Sequence, residues 1–370
     1  MEVRQRELLG LTSADLCLFL ESLGEKAYHG KQLYHSIYKT RQFNIGEMTD
    51  LSLALRERLL QCSHLTLPRT ALSQLSIDGT RKYLFELKDG EKIESVFIPE
   101  EHRDTLCIST QVGCPMDCKF CLTALIGLAR NLTSGEIAGQ VLAILKDQEG
   151  SSIKAGHAPE QKKTTSLRGR PVNIVLMGMG EPLLNLENVS RALVLMTDPN
   201  GIGIPPHRIT LSTVGVVPKI LELARAPVVP NLAISLSATT DDVRNQLMPV
   251  NRKYPIQELI KACAQFPLRP RQRITFEYVL IHSVNDYDDD ARRLVKLVSG
   301  LRAKVNLLPL NPGQGNAMRS SSPERVRRFQ EILTSKGLAA YIRRPRGADI
   351  FAACGQLHQQ SVPMDVAAVL

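Results

Sequence analysis

Three cysteines fall within eight residues, Cys114-Pro-Met-Asp-Cys118-Lys-Phe-Cys121, in a chain with eight cysteines altogether. No fourth cysteine and no histidine lies near enough in the sequence to complete a local four-ligand set. A structural zinc ion takes four protein ligands, and an iron–sulfur cluster that only carries electrons takes four thiolates. A cuboidal cluster held by three thiolates keeps one iron open, and an open iron can hold a substrate. The competing reading is a zinc knuckle that borrows a distant ligand such as His102.

Such a loop needs a scaffold, and the chain has the length for one. Its 370 residues, 43% apolar and 22% charged, suit a large soluble domain with a smaller companion. Lys and Arg exceed Asp and Glu by 46 − 37, a formal charge of +9, which favours a polyanionic partner, nucleic acid first. No apolar run approaches the ~20 residues of a membrane span. The N-terminus is charged where a signal peptide would be apolar. With the other cysteines scattered, this points to a cytoplasmic, reducing setting.

Residues 1–65 read as a small helical accessory domain whose basic residues, Lys26, Lys31, Lys39, Arg41, Arg56 and Arg58, either grip RNA backbone or form a solvated charged surface. Thr12 and Asp15 form a capping-box start, with Leu16, Phe19, Leu20 and Leu23 following at helical spacing. A second helix runs from about 27 to 40. Asp78-Gly79 and Asp89-Gly90 are hairpin turns, so 66–100 reads as a β-meander extension with strands near 69–77, 80–88 and 91–98. There Glu94 shares a face with Val96 and Ile98. A carboxylate on an apolar face can act as a base, and an edge-strand charge that blunts aggregation is the alternative.

From 101 to 357 strand-like and helix-like stretches alternate. The strands fall at about 105–109, 172–177, 207–212, 231–236, 273–280 and 304–308, each followed by a helix. Six β/α repeats predict an α/β fold with a parallel sheet rolled into a full or partial (β/α)6 barrel. Ligands of such barrels sit at the strands' C-terminal ends. There the chain carries Gly178-Met-Gly180-Glu181-Pro182, Ser212-Thr213-Val-Gly215, Ser235-Leu236-Ser237, Glu277-Tyr278 and Pro309-Leu-Asn311-Pro312, and the three-cysteine loop follows the first strand. Residues 149–170, polar and rich in Gly, Ser and Lys, predict a mobile loop, and 358–370 a tail. Near the end, Cys354 lies among Ala352, Ala353 and Gly355, small neighbours that let a loop approach another backbone or move. On its own it reads as a buried apolar residue, as do Cys17, Cys62 and Cys263.

The Cys-x3-Cys-x2-Cys spacing is the pattern of the radical S-adenosylmethionine (SAM) enzymes. The run Leu106–Cys114, Gly178–Asn185, Ser212–Pro218, Leu247–Asn251, Gly347–Ile350 and Ala353–Leu357 resembles one family among them, the dual-specificity RNA methyltransferases. This resemblance implies a partial radical-SAM barrel with a small N-terminal helical domain. It implies methylation of carbon 2 of adenosine in 23S ribosomal RNA and transfer RNA. Cys114, Cys118 and Cys121 would hold one [4Fe–4S] cluster, and Gly180, Glu181, Ser212, Ser235, Leu236, Ser237 and Asn311 would contact SAM. Adenine carbon 2 is electron-poor and has no lone pair, so direct attack on the SAM methyl is closed. One SAM would methylate Cys354, and a second would yield the radical that activates that methyl, two per turnover. Glu94 would take the carbon-2 proton, and Cys107 would attack the Cys354 sulfur, releasing product and a disulfide. An external electron donor and a disulfide reductant follow as partners, with a monomer as the working unit.

The chain departs from the family at Ser237, where many members carry His, in the more apolar Leu122–Gly127, and in a longer loop at 149–170. A sister type that methylates carbon 8 shares the same cysteines; Val112 and Pro182 fit the carbon-2 type better.

Overall fold

The computed structural model of the chain describes residues 5–154, 166–167, 170–311 and 318–358. Most of the loop expected at 149–170, and the tail beyond 358, lie outside the described residues. The helix entering that loop runs further than expected, to Lys154, and Ser166–Leu167 pairs with the strand that leaves it.

One sheet carries the molecule. Ten of its strands pair in strict sequence order. Arg69–Leu75, Arg81–Glu86 and Lys92–Pro99 are antiparallel, as the two Asp-Gly turns predict. The third of them pairs antiparallel with Asp104–Cys107. From there every pairing is parallel, through Arg170–Leu176, Ile209–Thr213, Asn231–Ser235, Ile274–Leu280, Ala303–Pro309 and Ala340–Ile342. The meander is therefore the antiparallel start of the barrel sheet. The barrel has seven parallel strands, one more than the six repeats predicted. It stays partial because the last strand does not pair with the first.

Side-chain alternation decides what faces the lumen. Ile209 and Leu211 are buried toward the helices, which turns Ser212 inward. Ser235, Glu277 and Asn306 sit opposite one another on three neighbouring strands, so they share the inner face.

The N-terminal helices are Ser13–Ser22, Ala27–Tyr34 and Leu53–Cys62. The capping box forms as its residues predict, with the Thr12 N–H donating to Asp15 (2.8 Å) and the Asp15 N–H to Thr12 (3.2 Å). The second helix continues to Lys39 as a wider π-turn. This unit packs directly on the barrel: Gly10 lies so close to the helix starting at Ser134 that a Cβ on it would meet the Gly135 nitrogen at 2.7 Å. Arg191 from the barrel donates to the Gly10 carbonyl (2.9 Å) and pairs with Asp15. Among the described residues no helix is long and apolar enough to cross a membrane.

Candidate active site

The three-cysteine loop is closed at its base by a small antiparallel ribbon, Gln111–Gly113 with Leu128–Asn131. Gly113 has φ +79°, and a Cβ there would sit 1.8 Å from the Gly127 carbonyl oxygen, which accepts the Cys114 N–H at 2.7 Å. Only glycine tolerates both demands. Gly113→Ala is expected to leave the barrel folded but to spread the loop, so the purified chain would carry well under half the wild-type iron; unchanged iron content would contradict this.

The glycine-plus-acid loop locks onto the root of the cysteine loop. The Met179 N–H donates to Ser109 Oγ (2.8 Å) and the Glu181 N–H to Gln111 Oε1 (2.8 Å). Cβ atoms on Gly178 or Gly180 would fall 2.7 Å from Ser109 Oγ and 2.6 Å from Gln111 Cβ. Buried Gln140 spans the Ser109 N–H and C=O (2.8 and 2.9 Å).

These loops surround a cavity of about 1080 Å³, counting the space at its mouth. It is lined by Cys114, Cys118, Cys121 and Cys354, and by Gly180, Glu181, Ser212, Ser235, Ser237 and Asn311. Three expected site residues lie off its wall. Leu236 is fully buried, because it follows Ser235 and so points to the opposite face. Cys107 and Glu94 are buried behind the wall, on strands paired in the sheet.

Burial is the main electrostatic influence on the thiols. It pushes Cys114 up to about 12 and Cys118 well above the usual thiol range; the charge of Cys121 adds to both rises, and that of Cys114 to the second. Without metal these groups stay protonated, so assembling a cluster on them would release protons. Burial also lifts the Glu181 carboxyl to about 7, against hydrogen bonds from the Val214 and Leu183 N–H groups (2.9 and 3.0 Å).

The Cys354 segment reaches the cysteine loop through backbone contacts. The Leu122 N–H donates to the Gly355 carbonyl (2.8 Å), Thr123 Oγ1 to the Leu357 carbonyl (2.6 Å) and Asn311 Nδ2 to the Cys354 carbonyl (3.1 Å). Gly355 has φ +81°, and a Cβ on it would approach the Phe120 carbonyl at 3.4 Å. Solvent in the cavity reaches Cys354, yet the enclosing protein pushes its thiol up to about 11. Cys107 is raised further by burial and then by the charge of Cys354. The apolar-core reading of Cys354 thus fails, whereas Cys263 is buried as expected and Cys17 and Cys62 are half-buried.

Glu94 is an interior charge and not an edge-strand one. It is 0% exposed and pairs with Lys82, itself 5% exposed, at 3.1 Å from Oε1. Its Oε2 accepts the His358 N–H at 2.8 Å, and its Oε1 faces the Lys82 ammonium. Lys82 Nζ also reaches the Phe351 carbonyl at 3.5 Å. Lys82 was legible in principle: the Asp89-Gly90 turn sets Lys82 opposite Val96 and Leu84 opposite Glu94, so lysine and glutamate are diagonal neighbours on one face. Glu277, which also lines the cavity, accepts from Asn306 Nδ2 (2.9 Å) and is raised by burial.

A single zinc ion, with Zn–S near 2.3 Å, draws its thiolates to within about 4 Å of one another. A cuboidal cluster spreads them over different irons. Three loop cysteines face one cavity, and no described histidine lines it. His102 is 87% exposed and pairs with Glu101; it does not line the cavity. The donor set fits a three-thiolate cluster better than a zinc knuckle.

A partial parallel barrel with a three-cysteine loop over its C-terminal rim defines a radical SAM protein, and the radical SAM superfamily profile matches residues 108–298. The ribosomal RNA large subunit methyltransferase N-terminal domain matches residues 6–65. The dual-specificity RNA methyltransferase RlmN of Syntrophotalea carbinolica is 48% identical over 95% of this chain and 89% of the relative. That of Geobacter sulfurreducens is 46% identical over 95% and 91%. The crystal structure of a radical SAM methyltransferase from Sphaerobacter thermophilus matches with a TM-score of 0.88 at 41% identity, covering 96% of this chain and all of that one. The chain belongs to the family of dual-specificity RNA methyltransferases.

Proposed function

We infer that the chain is a SAM-dependent radical RNA methyltransferase acting on 23S ribosomal RNA and transfer RNA, and that the atom methylated is carbon 2 of adenosine. The observation that carries this reading is one cavity lined by three loop cysteines and a fourth from a distant segment, Cys354. Cys114, Cys118 and Cys121 would hold a [4Fe–4S] cluster, with SAM held by Gly180, Glu181, Ser212, Ser235, Ser237 and Asn311. Leu236 would act through its backbone, since its side chain faces away. Bound there, cluster and SAM supply a transferable methyl group and one-electron radical chemistry, two SAM per turnover.

The chain's own residues do the rest. Cys354 takes the methyl group and carries it to the base, Glu94 accepts the carbon-2 proton, and Cys107 attacks the Cys354 sulfur to release the product. The resulting disulfide needs an external reductant, and the cluster an external electron donor. We propose a monomer as the working unit. All eight cysteines are free, which suits the cytoplasm. We propose 1–65 as the RNA-gripping unit, 66–100 as a β-meander extension of the barrel sheet that carries Glu94, 101–357 as the radical SAM partial barrel and 358–370 as a tail.

The test is anaerobic reconstitution with ribosomal and transfer RNA fragments, then nucleoside mass spectrometry against both methyladenosine standards. Carbon-8 product alone would overturn the assignment of the atom, and no product that of the activity. The Glu181 carboxyl gives a second check. If it pairs with the SAM ammonium it must be ionised, and a group titrating near pH 7 is mostly charged at pH 8 and mostly neutral at pH 6. SAM affinity is expected to fall about tenfold from pH 8 to pH 6. In Glu181→Gln it would be weak and flat; an unchanged slope would remove Glu181 from the site.

A further inference from the structure

We propose that Arg244 is the buried countercharge of the cluster site and raises the reduction potential of the cluster held there; this rests on the reading of Cys114, Cys118 and Cys121 as cluster ligands. Arg244 is 0% exposed, on the short helix Asp241–Leu247. Its guanidinium donates from Nε to the Leu236 carbonyl (3.1 Å), from Nη1 to Asn251 Oδ1 (2.9 Å), and from Nη2 to the Val214 and Ser235 carbonyls (2.6 and 3.1 Å). All four acceptors are neutral. They satisfy the hydrogen bonds without supplying a countercharge, which is costly in an interior.

Asp241, the one carboxylate that acts on it electrostatically, gives its Oδ1 to other donors, Asn251 Nδ2 and the Ile256 N–H, both at 2.9 Å. The cysteine loop lies on the other side. The Lys119 N–H donates to the Leu247 carbonyl (2.9 Å), and Leu247 and Met248 pack with Cys118. Burial draws the guanidinium down to about 10, and among charged groups Cys118 is foremost in pulling it back up. A three-thiolate cluster is anionic and gains one more negative charge on reduction. A fixed cation behind one ligand, in a low-dielectric wall, favours the reduced state.

Two variants differ mainly in charge. Arg244→Lys keeps the cation with three N–H donors, whereas Arg244→Gln removes the charge and keeps two. Potentials are read by EPR-monitored titration of the reconstituted protein, with iron and sulfide content measured alongside. Arg244→Gln is expected to hold at least tenfold less reduced cluster at a fixed poise, about 59 mV more negative for one electron, with Arg244→Lys near wild type. Arg244→Gln failing to retain a cluster that Arg244→Lys retains supports the same conclusion. Equal potentials in all three proteins, or loss of the cluster in both variants, would overturn it in favour of a purely structural arginine. A wild-type chain that takes up no iron would overturn the cluster reading itself.

Discussion

Cys354→Ala is expected to yield no methylated adenosine, a loss of at least a thousandfold, while iron content and reductive SAM cleavage stay within about twofold of wild type. A general base contributes roughly 10²–10⁴-fold, and removing the atom that bears the transferred carbon must cost at least as much. The cavity keeps its shape, because Cys354 is held through its carbonyl and its neighbours' carbonyls and not through its side chain. Mass spectrometry of the intact protein supplies the positive control: wild type incubated with SAM gains one methyl group, and the variant gains none. Normal product from the variant would sink the carrier assignment, whatever the state of the cluster.

Cys107→Ala is expected to convert a turnover enzyme into one that traps its RNA. The thiol lies close enough to Cys354 for the charge of Cys354 to raise it, yet outside the cavity wall. Deleting it should therefore leave methyl loading and RNA entry intact and remove only the release step. A slowly migrating protein–RNA band, stable to denaturant and approaching one RNA per chain, is the outcome to look for on a gel. Wild-type turnover with no such band would show that another nucleophile resolves the intermediate.

Six of the barrel strands were legible because each is an apolar run, most of them with Gly, Ser or Asn at the C-terminal end. Ala340–Ile342 escaped because three residues carry no period. The helix Asp241–Leu247 escaped for a related reason: seven residues opening on Thr240 and two aspartates look like a polar loop, although Val243 and Leu247 have helical spacing. Arg244 could not be foreseen, since an arginine among Asp, Asn and Gln reads as surface until the strand-end carbonyls close around it. The cysteine loop and rim residues were readable from types and spacing alone. Which expected residues stand behind the wall, as Cys107 and Glu94 do, depended on pairing register.

The ion pair between Lys82 and Glu94 holds both flanks of the Cys354 segment, at Phe351 and at His358. Cys354 is three positions from the nearer anchor, and three extended residues span only about 10 Å. Its sulfur is thus on a short leash. The nucleotide has to travel to the thiol, so the RNAs that can serve as substrates are those able to evert an adenosine deeply at modest cost.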